Sequence, residues 1–183
     1  MKIVPTRLAD VLIVEPQKFG DRRGYFLETY QQQRYSAAGI DTAFVQDNIS
    51  FSRRNTLRGL HFQHPRGQAK LVQVIEGEIF DVAVDVRQGS PTFGQWVGVQ
   101  LNGETPQQLF VPAGFAHGFC VMSPTALFLY KCGDYYAPEH ECGLRWDDPD
   151  LAIEWPVDTP LLSDRDREFP TLKEIAAHRL PSY

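Results

Sequence analysis

A histidine set inside an apolar run, and a lysine opening the next one, are the first residues of this chain with chemistry to offer. The stretch Leu57–Glu76 reads LRGLHFQHPRGQAKLVQVIE. Folded as two strands around a polar turn, its period of two sets Gly59, His61 and Gln63 on one side and Leu60 and Phe62 on the other. Lys70, Val72 and Val74 share one side of the second strand. A histidine and a lysine turned into a β-structure are costly unless water, a partner group or a ligand meets them. Tyr130 lies on a later apolar strand, ALFLYKCGDYY, sharing a side with Phe128 and Cys132. A histidine of near-neutral pKa can take a proton from carbon. A lysine beside the developing enolate oxygen stabilises it electrostatically, and a tyrosine on the opposite wall can return a proton. A base and an acid on opposite faces are what inversion at carbon requires. Singly, a strand histidine is more often a satisfied core or rim residue, a lysine solvated and a tyrosine packed. The combination of His61, Lys70 and Tyr130 favours chemistry.

These residues need elements to hold them. Residues 8–15, LADVLIVE, read as a first strand ending at Pro16. FGDRRGYFLETY is a Gly/Asp turn leading into alternation of Phe26, Glu28 and Tyr30 against Tyr25, Leu27 and Thr29. Gln31–Ala38 favours a short helix with Gly39 as its terminator. AFVQDNISFS reads as a strand with Phe44, Gln46 and Asn48 on one side, where the two amides could simply be solvated. EGEIFDVAVDV is a clear strand, with Phe80, Val82, Val84 and Val86 alternating against Ile79, Asp81, Ala83 and Asp85. QWVGVQL is another, closed by the hairpin signal Asn102-Gly103. QQLFVPAGFAHGFCVM supplies a strand, a turn at Pro112–Gly114, and a strand with His117, Phe119 and Val121 on one face. Short strands with turn signals about every ten residues predict an all-β antiparallel barrel or jelly roll, since no helical crossovers are visible. RWDDPDLAIEWP reads as loop packed on the barrel and LLSDRDREFP as more loop. Thr171 with Glu174 forms a capping box before a final short helix.

Composition bounds the partners. A chain of 183 residues, 43% hydrophobic, is expected to form one domain, residues 1–183, with a substantial core. A net charge of −5 without a basic stripe argues against a nucleic-acid polymer as ligand, while a few arginines in one pocket can still hold an anionic small molecule. No signal-peptide pattern or bilayer-length apolar run is present, so no membrane role and a cytoplasmic location are expected. Cys120, Cys132 and Cys142 fit neither a zinc spacing nor an even disulfide framework, and read as reduced, buried thiols.

The spacing PxGxxH at Pro112–His117 resembles the second motif of the cupins, and GLHFQ resembles their first. A metal-binding cupin would carry a second histidine where Gln63 stands and a carboxylate a few residues later, and residues 62–75 contain no Asp or Glu. His64 points to the opposite face by alternation. No metal and no cofactor are expected. Beyond this, FGDRRGYFLE, FVQDN, LRGLHFQ, KLV, GEIFDVAVD, SPTFGQWVG, PAGFAHGF, FLYK and IEWP occur in the order seen in the dTDP-4-dehydrorhamnose 3,5-epimerase family. The similarity runs from about residue 8 to about residue 167, and the ordered series is far more specific than any one motif.

That resemblance implies a metal-free cupin-type jelly roll with a few short peripheral helices. It implies epimerisation at carbons 3 and 5 of a dTDP-4-keto-6-deoxy sugar, within a homodimer. By position, His61 matches the family's general base and Asp166 the carboxylate that orients it, with Asp164 the alternative. Lys70 matches the enolate-stabilising lysine and Tyr130 the proton-returning tyrosine. Arg58, His117 and Asn48 match pocket residues near the sugar and diphosphate. Phe19, Arg23, Glu28 and Gln46 match nucleotide-contacting positions, some reaching across the dimer interface, and Tyr136 a residue stacking near the base. Tyr130 speaks against a relative that inverts only one carbon. A metal-dependent cupin and a non-catalytic sugar-nucleotide binding module are the other readings to be tested.

Overall fold

Strands with one apolar face must bury it against a second layer, and in this protein two antiparallel sheets close on each other to do so. The computed structural model describes the whole chain, Met1–Tyr183. In chain order the strands are β1 (Lys2–Pro5), β2 (Leu12–Glu15), β3 (Lys18–Asp21), β4 (Gly24–Leu27), β5 (Gln46–Arg53), β6 (Leu57–Gln63) and β7 (Lys70–Glu76). They continue as β8 (Glu78–Asp85), β9 (Trp96–Asn102), β10 (Gln108–Val111), β11 (Phe115–Val121), β12 (Thr125–Cys132) and β13 (Glu141–Gly143). One sheet runs β1-β2-β10-β7-β12-β5 and the other β13-β6-β11-β8-β9, with β3 and β4 forming a separate hairpin. The result is the expected all-β jelly roll.

The interior between the sheets is apolar over most of its length. Val72 and Val74 of β7 and Phe128 of β12 meet Ile79 and Ala83 of β8 and Phe119 and Val121 of β11 in one buried cluster. The outer face of the five-stranded sheet, carrying Leu60, Phe62, Val82 and Val84, is covered by Leu151, Ile175 and Leu180 from the carboxy-terminal third. That segment is pinned as irregular chain: the Trp96 Nε1–H donates to the Leu151 carbonyl at 2.9 Å, and the Trp155 Nε1–H to the Trp146 carbonyl at 2.8 Å. A third cluster packs Tyr35 and Ile40, at the helix α1 (Gln32–Ala37), on Val14, Leu71 and Phe110. The Gln31 side chain caps that helix by accepting from the Arg34 amide at 2.7 Å, and Gly39 terminates it at φ +92°.

Several elements differ from expectation. The first predicted strand is only Leu12–Glu15; Leu8 and Val11 are core residues on a turn, and β1, unforeseen, pairs along β2. The Phe26–Tyr30 alternation ends at Leu27, closing a four-residue hairpin. β5 begins at Gln46, and Phe44 instead meets Tyr30 edge-on at 5.2 Å. Asn102-Gly103 makes no β9–β10 hairpin. The Asn102 side chain accepts from the amides of Glu104 and Thr105, and the chain crosses from one sheet to the other. The segment expected to be loop at 161–170 holds a helical turn, α2 (Asp164–Glu168). At the expected Thr171–Glu174 box only half of the pattern forms: the Glu174 carboxylate accepts from both the amide and the hydroxyl of Thr171, and the Glu174 amide bonds to the Thr171 carbonyl, on a turn followed by a 3₁₀ turn at Ala177–Arg179 rather than on an α-helix.

Candidate active site

At one end of the interior the apolar packing gives way to a cavity of about 730 Å³ between the sheets. It is reached by the inward faces of β5, β6, β7, β11 and β12, so alternation alone delivers Gln46 and Asn48, His61, Lys70, His117, and Tyr130 with Cys132. Arg58 is different. A strict period of two from His61 puts position 58 on the outer face, yet Arg58 and His61 line the same cavity. The cause is a slip in register: His117 lies opposite His61, but Phe119 lies opposite Arg58, so β6 spends three residues where β11 spends two. The extra residue is accommodated at Gly59, φ +124°, where a Cβ would sit 2.5 Å from the Gly118 Cα. Only glycine permits that backbone contact.

His61 is held by a carboxylate from far along the chain. Its Nε2 lies 2.6 Å from Asp166 Oδ1, with the imidazole 24% exposed and the carboxylate 4%. Asp166 sits in the first turn of α2, whose amino end is capped by Ser163 Oγ accepting from the Asp166 amide at 3.1 Å. Burial opposes ionisation of Asp166, but the bond and charge of His61, with Ser163 and Arg165, outweigh it and hold its pKa below the usual carboxylate range. Asp166, not Asp164, is therefore the partner. Phe169 packs edge-on to the His61 ring with centroids 5.6 Å apart, fixing its tilt.

Lys70 is 8% exposed, and its ammonium makes no side-chain hydrogen bond or ion pair within the protein. Burial lowers its pKa, opposed by the charges of Cys132, Asp81 and Glu141. Tyr130 is shifted the other way: burial raises its pKa, as does Cys132, with Arg58 opposing, so the phenol is kept protonated. Arg58 Nε donates to Ser52 Oγ at 3.0 Å, and Asn48 Nδ2 to Cys132 Sγ at 3.4 Å. Gln46 links the wall to the rim. Its amide donates to Asn48 Oδ1 at 3.1 Å and its carbonyl oxygen accepts from the Tyr136 amide at 3.0 Å. Tyr136 and Arg165 both donate to Glu141 at that rim, at 3.0 and 2.5 Å.

Phe19, Arg23 and Glu28 are not among the cavity's lining residues. Phe19 and Arg23 belong to the β3–β4 hairpin, where Phe19 is 54% exposed and Arg23 pairs with Asp21 at 2.6 Å; Glu28, just beyond, pairs with Arg34 at 2.7 Å. The sequence reading also missed Asp81. It is wholly buried, and His117 Nε2 lies 2.8 Å from its Oδ1. Two carboxylates on the inward side of β8, Asp81 and Asp85, were the available signal. All three cysteines are free and buried, but Cys132 is part of the cavity wall rather than plain core. No three His, Cys, Asp or Glu side chains converge to hold a metal ion. Gln63 instead braces the loops below, bonding to Arg66, Tyr135 and Ala137 main-chain groups.

A histidine paired with a carboxylate, a lysine without a side-chain partner and a protonated phenol in one cavity are groups whose chemistry suits proton transfer at carbon next to a carbonyl. Comparison with known proteins gives those groups a family. A family model described as dTDP-4-dehydrorhamnose 3,5-epimerase matches residues 5–174. The chain belongs to that family. The dTDP-4-dehydrorhamnose 3,5-epimerase of Pseudomonas aeruginosa is 54% identical over 92% of this chain and 94% of its own. The crystal structure of a dTDP-6-deoxy-D-glucose-3,5-epimerase from Legionella pneumophila, in complex with dTDP-4-keto-L-rhamnose, superposes with a TM-score of 0.97 at 51% identity, covering 100% of this chain and 98% of that one. A more distant relative, 40% identical over the whole of this chain and 90% of its own, is the dTDP-4-dehydrorhamnose 3-epimerase of Streptomyces niveus.

Proposed function

We propose that this chain is a single-domain isomerase that epimerises carbons 3 and 5 of dTDP-4-dehydro-6-deoxy-D-glucose, giving dTDP-4-dehydro-L-rhamnose for dTDP-L-rhamnose synthesis. The observation that carries the reading is the His61–Asp166 contact facing an unpaired Lys70 and a protonated Tyr130 across one cavity. The 4-keto group acidifies the C–H bonds on either side of it. His61 takes one of these protons while Asp166 holds the ring and stabilises the imidazolium. The Lys70 ammonium balances the negative charge gathering on the carbonyl oxygen. Tyr130 returns a proton to carbon 5 from the other face. Repetition at the second carbon completes the double inversion with no redox change. Arg58, Asn48 and His117 surround the sugar and diphosphate, with Gln46 and Tyr136 on the nucleotide side.

A second copy of the chain completes the site in this reading. β5 is an edge strand with Ile49 69% and Phe51 61% exposed, both at the cavity mouth, and the β3–β4 hairpin exposes Phe19, Tyr25 and Phe26. Bare edges and apolar hairpins of this kind favour pairing. A dimer covering them would deliver Phe19, Arg23 and Glu28 to the partner's nucleotide site.

Proton NMR of the 4-keto-6-deoxyglucose nucleotide incubated with the protein in deuterated water tests the activity. Deuterium is expected at carbons 3 and 5. Label at carbon 3 alone would favour the reaction named for the Streptomyces niveus relative, and absence of label would overturn the epimerase reading.

A further inference from the structure

Gly143 of β13 is a glycine whose backbone does not require one. Its φ lies outside the left-handed region that Gly59 occupies, so the chain there would accept a side chain. Strand pairing sets Gly143 directly opposite His61, and opposed residues of an antiparallel pair project on the same side. A Cβ at Gly143 would lie 2.5 Å from Cε2 and Cζ of Phe169 and 2.6 Å from its Cδ2. The space left by the missing side chain is therefore filled by the Phe169 ring, which stands edge-on to His61 at an interplanar angle of 69°. Neither Gly143 nor Phe169 lines the cavity. Phe169 closes the carboxy-terminal end of α2, three residues after Asp166, and residues so spaced on a helical turn share a face. That segment is strung between two main-chain anchors. Before it, Leu161 accepts from the Leu57 amide at 3.0 Å and donates to the Asn55 carbonyl at 2.7 Å; after it, the Pro170 carbonyl accepts from the Arg145 amide at 3.0 Å.

We propose that Gly143 is a positioning residue acting through Phe169: its bare backbone is the seat that fixes where α2 docks, and so where Asp166 and Phe169 both meet His61. The 2.6 Å contact between Nε2 and Asp166 Oδ1 holds one ring atom and leaves the imidazole free to swing about it, because the terminal torsion of histidine is broad. The edge of Phe169 supplies the second contact that stops the swing. Since carboxylate and phenyl ring come from one turn of α2, one seat sets both. A methyl group at position 143 would lift the ring, and α2 with it, between the two anchors. His61 would then keep its chemistry and lose its aim. Displacement of a reacting group by about 1 Å is costly in rate even when its origin lies outside the cavity.

The inference rests on the epimerase reading for the use made of His61, but part of its test needs no turnover. In protein labelled with ¹⁵N-histidine, the ring nitrogen signals of His61, assigned by His61→Asn, report which nitrogen carries the proton. The native ring is expected as one tautomer with Nε2–H facing Asp166, and Gly143→Ala and Phe169→Ala as mixtures of two. Deuterium entry at carbons 3 and 5 is expected to slow by about 10- to 10²-fold in either variant, with dTDP binding unaltered. The two changes share one contact, so adding Gly143→Ala to Phe169→Ala is expected to cost nothing further: the methyl then meets the space the ring has left. An undiminished effect of Gly143→Ala in the Phe169→Ala background overturns the proposal, as does a single native tautomer with native exchange in Gly143→Ala. Should Gly143→Ala fail to fold, Phe169→Ala decides, because a native tautomer and rate in that variant also overturn it. If the native protein labels neither carbon, the epimerase reading fails while the tautomer comparison still judges the seat.

Discussion

Two buried carboxylates on β8, four residues apart on the same strand face, have opposite fates. Asp85 is saturated: it accepts from the Arg87 amide and guanidinium at 2.7–3.0 Å and from the hydroxyls of Ser90 and Thr92 at 2.6 Å. Burial works against its charge, but these donors win and hold its pKa down at about 2. Arg87 is itself closed off, paired with Asp10 at 2.9 Å and stacked over Phe115 and Tyr183. Asp81 meets His117 through one oxygen and keeps the other without a hydrogen-bond partner. The contrast teaches where scaffold ends and chemistry begins. A polar group whose every valence is met inside the protein has nothing left to give a ligand, whereas unmet valence at the cavity is charge held ready for one.

The sharpest way to break that contrast is at His61, the proposed base. His61→Asn is expected to slow deuterium entry at both carbons by about 10²–10⁴-fold, measured by the same NMR exchange while dTDP still binds. Residual exchange near the native rate would remove His61 from the role. Asp166→Asn keeps the shape and removes the charge, and is expected to cost about 10²-fold in exchange. An unchanged rate would make the 2.6 Å contact structural, like those of Asp85. The smallest effect lies at Asp85 itself. Asp85→Asn should destabilise the fold by about 1–3 kcal/mol, read by urea unfolding at neutral pH, with exchange per folded molecule unaltered. A carboxylate depressed in the folded state contributes fully above its unfolded pKa and loses that contribution as pH falls through about 2. The gap between native and variant should therefore close between about pH 4 and pH 2. A gap independent of pH would show that Asp85 stabilises by shape rather than charge.

What could be read from sequence followed the reach of each physical rule. Alternation carried β6, β7, β8, β11 and β12, and with them His61, Lys70, His117 and Tyr130, because side-chain facing in a strand is local. It failed at Arg58, since a bulge depends on the backbone of another strand meeting Gly59. The Asn102-Gly103 signal named a turn but not its partner; pairing is decided by which sheet has room. Asp166 was reached by resemblance alone, 105 positions from the histidine it touches. Its local signature, a capping serine three residues before it, was passed over in a segment without apolar period. Asp81 was visible as a charge in an inward series and went unweighed. For Phe19, Arg23 and Glu28, facing in one chain carries no information about a neighbour.

The contact between Gly59 and Gly118 has a consequence for how such a site can change over evolutionary time. Where two main chains touch directly, the separation of the strands beneath His61 and His117 is set by peptide geometry and not by the volume of any side chain. Substitutions along the cavity wall can then alter what is admitted without altering the spacing of the two rings. The pocket has a ruler that does not wear as its lining is revised.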